Sequence, residues 1–107
     1  MKKWKVQISD RALKELKKLD AVNREMILIY LETRIEGSSD PRRYGEPLKG
    51  NLSGYWRYRI GQYHILCELA DEIVTVYVVT VGHKYIAGDQ GFSPYLVIYS
   101  QNAFFTP

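Results

Sequence analysis

Two arginines in the run YWRYRI, Arg57 and Arg59, are the residues of this chain best placed to do chemistry. In an extended strand alternate residues share a face. Arg57 and Arg59 therefore stand together with Tyr55, while Trp56, Tyr58 and Ile60 face the other way. At roughly 3.4 Å per residue the two arginines sit about 7 Å apart, close to the spacing of successive phosphates along a nucleic-acid strand. A guanidinium stays charged at neutral pH and binds a phosphate through two parallel N–H donors. An exposed pair of this kind also keeps a sheet soluble, and the two residues alone leave both uses open.

Other polar residues sit near this pair. His64 shares a strand face with Leu66 and Glu68 in YHILCEL; a lone strand histidine is more often a hydrogen-bonded structural residue than a catalyst. His83 and Lys84 follow an apolar run at its polar end, where a rigid scaffold can hold site residues at the solvent boundary, although Gly82-His83-Lys84 also reads as a polar turn. Between Pro41 and His64 the chain carries Arg42, Arg43, Lys49, Arg57 and Arg59 against one acid, Glu46. Such a local excess is an electrostatic footprint for phosphates or for an acidic protein, or else a solvated basic face. One cysteine and two histidines do not make an ordinary structural zinc site. No Gly-rich phosphate loop and no G-x-S-x-G is present. Cys67 lies among apolar neighbours and reads as a packing residue.

The elements that must position these residues are legible as a pattern. WKVQIS alternates and predicts a strand over 4–9. Ser9 or Asp10 can cap a helix over about residues 10–19, with Leu13, Leu16 and Leu19 as its apolar stripe. Asp20 can cap a second helix, whose apolar face is Ile27, Leu28, Leu31 and Ile35 and whose stop is Gly37. The two helices are close enough to form a hairpin. SSDPRRYGEP is a loop. Three strands follow, at 55–60, 63–69 and 73–81, joined too briefly for anything but antiparallel pairing. The fold expected is α+β, in the order β-α-α-β-β-β. The helical hairpin packs on one face of a small, mainly antiparallel sheet that also takes in the first strand, and the other face is partly open for binding.

Composition bounds the rest. The chain has 107 residues, 46% of them hydrophobic and 25% charged, which suits one small domain. Its net charge of +3 is modest. The apolar runs fall short of the roughly 18 to 20 residues of a membrane span, and the basic start MKKWKVQISD has no signal-peptide h-region. A single cysteine suits a reducing compartment. The expected setting is cytoplasmic, away from membranes.

Three pieces, ISDRALKELKKL, PLKGNLSGYWRYRIGQYHILCEL and VYVVTVGHK, in this order and spacing, closely resemble the RelE/ParE superfamily of toxins from bacterial type II toxin–antitoxin systems, and most of all its RelE branch. The resemblance runs from Trp4 to Lys84. It implies a ribosome-dependent endoribonuclease that cuts mRNA in the ribosomal A site without a metal or cofactor, by attack of a 2′-OH on the adjacent phosphate. By the same resemblance Arg57 and Arg59 hold phosphate and stabilise the transition state, and Lys49 contacts the RNA backbone. Arg42 and Arg43, from the basic segment, and the aromatic Tyr85 are further RNA-binding candidates. His64 stands where members often carry an arginine. Gly82-His83-Lys84 matches Gly-His-Arg or Gly-Lys-Arg, so Lys84 keeps the charge of a catalytic arginine without its fork, and His83 joins the catalytic set. The implied partner is a RelB-like antitoxin, in a heterotetramer of two chains of each kind.

The resemblance ends where the basic residues end. Residues 1–84 read as the RelE-like domain and 85–107 as an aromatic tail with Asp89 as its one charge. Where members place a late Val-Tyr or Ile-Tyr pair, this chain has Ala87-Gly88-Asp89-Gln90, and Tyr85 is the nearest aromatic. Two other functions are consistent with the same fold: a ParE-type inhibitor of DNA gyrase that cuts no RNA, and an inactive toxin that still binds antitoxin.

Overall fold

The structure, a computed structural model, describes residues 2–83. It holds strands β1 (Lys5–Ile8), β2 (Glu46–Pro47), β3 (Trp56–Ile60), β4 (Tyr63–Ala70) and β5 (Thr75–His83), with helices α1 (Asp10–Lys17) and α2 (Ala21–Tyr30) between β1 and β2. The sheet order is β1-β5-β4-β3-β2. β1 runs parallel to β5 and every other neighbour is antiparallel. The α+β fold and the strand–helix–helix–three-strand order agree with the sequence; the two-residue edge strand β2 falls in the segment whose turn residues predict a loop.

Local chemistry sets the helix starts. The Ser9 hydroxyl accepts the Ala12 N–H at 3.0 Å and donates to the Val79 carbonyl at 2.9 Å, so the N-cap of α1 also ties it to β5. Asp20 occupies the N-cap of α2, but its side chain bonds Asn23 rather than the helix backbone. The stripe of α1 is shifted by one residue from the pattern of leucines: Ala12 and Leu16 are buried, whereas Leu13 is exposed. A small residue at position 12 lets α1 lie close to the sheet, and Leu13 falls about 100° round the helix from it. The second helix does not run on to Glu36 as an α-helix. It widens at Leu31–Ile35 into a π-turn whose Glu36 N–H bonds the Leu31 carbonyl, and Gly37 then turns the chain at φ +82°. Ile27, Leu31 and Ile35 all reach the core.

That core lies between the helices and one sheet face, where they meet Tyr58, Ile60, Ile65, Cys67, Val76, Val78 and Val81. Arg57 and Arg59 alternate onto the opposite face, together with their cross-strand partners Leu66 and His64. A β-bulge interrupts the β4–β5 ladder. Leu66 pairs with Thr80 and Cys67 with Val78, leaving Val79 as the extra residue. One extra residue inverts the alternation beyond it. Val81 and His83 consequently point to the helix side, and Gly82 lies on the arginine face beside His64.

Candidate functional site

The site is built on the β2 edge of the sheet. Glu46 pairs in register with Arg57. Its Oε2 accepts from Nε of Arg57 at 2.8 Å, from Nη2 of Arg57 and from Nε of Arg59 at 3.0 Å, and it forms an ion pair with Nη2 of Arg59 at 2.9 Å. Both guanidinium forks thus converge on one oxygen. The Arg57 hydrogen bond, with Arg59 adding to it, holds the Glu46 carboxyl below the usual carboxylate range despite some opposing desolvation. Gly45 makes the close approach possible: a Cβ there would lie 2.5 Å from the Arg57 carbonyl oxygen and 2.5 Å from Trp56 Nε1. A hollow of about 200 Å³ opens over this group, lined by Arg43, Tyr44, Gly45, Glu46, Arg57 and Arg59. Arg43 stacks over the Tyr44 ring at 5.3 Å.

The other sequence-derived residues fall in several places. His64 is buried on the same face, paired with Arg59 on one side and Gly82 on the other. Lys49 is exposed just before the short 3-10 turn Gly50–Leu52. Arg42, next to Arg43 in sequence, is turned away from the hollow. Its guanidinium lies 5.9 Å from the rings of both Trp4 and Trp56 and makes a bidentate pair with Asp71 at 2.9 and 2.8 Å. Trp56 belongs to the helix side of β3, so Arg42 closes that side of the sheet. His83 packs edge-on against Tyr63, with centroids 5.3 Å apart, also on the helix side. Lys84, Tyr85 and the 85–107 tail lie outside the described residues.

The arrangement can hold one anion between two permanent cations and offers a histidine, His64, on the same face for proton transfer. Among the described residues no group of three or more His, Cys, Asp or Glu is placed to hold a metal ion. Burial pushes the Cys67 thiol well up, which leaves it a poor nucleophile. Glu46 is the functional candidate that the sequence did not mark. Its one signal was its position as the single acid in a basic segment, directly after a glycine.

Comparison with known proteins places the chain in a family. Residues 6–88 match the family model described as ParE toxin of type II toxin–antitoxin system, parDE. Toxin RelG of Mycobacterium tuberculosis is 38% identical over 47 residues, covering 44% of this chain; the chain spans about half (54%) of that relative's length. The toxin–antitoxin complex RelBE2 of M. tuberculosis contains a chain that superposes with a TM-score of 0.71 at 27% identity, over 77% of this chain and 99% of that one. A mutant of the Escherichia coli toxin RelE in the free state gives a TM-score of 0.64 at 24% identity over 86% of this chain and 93% of that one, a likeness of fold. The chain belongs to the ParE toxin family of type II toxin–antitoxin systems, within the RelE/ParE superfamily.

Proposed function

We propose that this toxin is a metal-independent endoribonuclease that cleaves mRNA in the ribosomal A site. The observation that carries the reading is the convergence of Arg57 and Arg59 on a single anionic oxygen, on the sheet face away from the helices. In the reaction the 2′-OH loses its proton, an O2′–P bond forms, and the P–O5′ bond breaks as the 5′-oxygen gains a proton. Negative charge builds on the phosphate oxygens, where two fixed guanidinium groups stabilise it. His64, on the same sheet face as the arginines, is assigned to accept the 2′ proton. By resemblance Lys84 is assigned to the leaving-group side, with Lys49 and Arg43 holding the RNA backbone and Tyr85 the base.

A RelB-type antitoxin is the proposed inhibitor, as in the RelBE2 complex. Its expected charge is acidic, opposite to that of the basic 41–64 segment, and light scattering of the purified pair should give two chains of each kind. The test of the activity is primer extension on translating ribosomes with and without the purified chain. New ends inside the A-site codon support the reading. Intact mRNA together with inhibited DNA gyrase would replace it with the gyrase-inhibitor reading.

A further inference from the structure

We propose that Glu46 is a displaceable internal anion: its Oε2 marks the seat of a phosphate oxygen, and the chain expels this carboxylate when it binds RNA. The identity of the incoming anion as an RNA phosphate rests on the ribonuclease reading above. Nε and Nη2 of Arg57 and Nε of Arg59 donate to that one oxygen, and Nη2 of Arg59 lies 2.9 Å from it as an ion pair. A non-bridging phosphate oxygen accepts the same set of donors. The carboxylate and the phosphate therefore compete for one place.

The tether is suited to exchange. β2 has two residues, lies at the sheet edge, and pairs through Glu46–Arg57 and Pro47–Trp56, with one further backbone hydrogen bond from Leu48 to the Tyr55 carbonyl just beyond it. The Glu46 side chain is 39% exposed, so it can swing into solvent without uncovering the core. Gly45 meanwhile holds the backbone hard against β3, which returns the carboxylate to the arginines when the site empties. While it is in place, two positive charges and one negative leave a net of one. The empty site is a weaker trap for any passing polyanion than the bare arginine pair would be.

Competition of this kind lowers affinity by the fraction of time the seat is open. A seat filled by Glu46 about nine-tenths of the time weakens phosphate binding about tenfold. The probes are a 2′-O-methyl RNA hexamer, which has no 2′ proton to lose, and inorganic phosphate. Fluorescence anisotropy at fixed salt gives the Kd of the hexamer for the full chain, and phosphate is titrated as a competitor. Glu46→Gln and Glu46→Ala should each tighten binding about tenfold. Glu72→Gln removes the same charge from an exposed turn away from the arginines and should change it less than about twofold. Unchanged or weaker binding in both Glu46 variants, or an equal gain in Glu72→Gln, overturns the proposal. The two readings fail separately. Tighter binding by the Glu46 variants with no mRNA cleavage by the wild type removes the nuclease and keeps the anion seat; wild-type cleavage with no gain in binding does the reverse.

Discussion

Glu15 of α1 accepts the backbone N–H of Val81 at 2.8 Å and the hydroxyl of Thr80 at 2.6 Å through the same oxygen, Oε1. β1 pairs with β5 only as far as Val78, so beyond that point the β5 edge has lost its neighbouring strand. A helix side chain takes over as acceptor and holds the end of β5 that carries Gly82 beside His64. Glu15→Ala should cost about 1–3 kcal/mol, the penalty for stranding part-buried donors. Urea denaturation should show a lower midpoint with an unchanged slope. An unchanged midpoint would mean that water satisfies Val81 equally well.

Gly45→Ala tests the contact that brings β2 onto β3. The added methyl group would meet the Arg57 carbonyl and the Trp56 ring at 2.5 Å, so the strand must move. A loss of about 1–3 kcal/mol is expected, read as a lower urea midpoint. An unchanged midpoint in the Gly45→Ala protein would show that β2 need not be held so closely.

The neighbouring arginines Arg42 and Arg43 should separate by readout. Arg42 is committed to Asp71 and two tryptophan rings, so Arg42→Ala should lower stability by about 1 kcal/mol, a figure reduced for its solvent exposure, and leave the cleavage rate near wild type. Arg43→Ala, in the wall of the hollow, should weaken RNA binding with little change in Tm. The opposite pattern would exchange their roles.

Acid stability follows from two carboxylates. The Arg57 hydrogen bond holds Glu46, and the Arg42 hydrogen bond holds Asp71, below the ordinary range. A folded pKa below the unfolded one adds stability that is complete above the unfolded value and lost as pH falls through the folded value. Stability should therefore drop below about pH 4, modestly because both groups are partly or largely exposed. The Glu46→Gln, Asp71→Asn double variant should show a shallower drop in urea titrations across that range; a parallel curve would contradict the pairing.

The sheet and both helices were legible because alternation and cap residues are local signals. Trp56, Tyr58 and Ile60 face the helices, with Arg57 and Arg59 on the other side, as counting by two requires. What stayed hidden depends on distant partners. Ala12 rather than Leu13 lies at the α1 contact, since closeness to the sheet is decided by β5. The bulge at Val79 carries His83 to the Tyr63 side, and nothing in a run of valines marks where a ladder slips. Glu46 gained its place only when β2 folded back onto β3, a pairing of two residues that no period can reveal.

The central claim is that Arg57 and Arg59 act on the scissile phosphate. The most direct measurement is the single-turnover rate of mRNA cleavage on ribosomes by the wild type and by the Arg57→Ala, Arg59→Ala double variant, with antitoxin binding as the check on folding. Loss of even one transition-state donor typically costs about 10²–10³ in rate, so the double variant should retain less than about one part in a hundred of the wild-type rate while still binding antitoxin. A folded, antitoxin-binding double variant that cleaves at the wild-type rate would contradict the account.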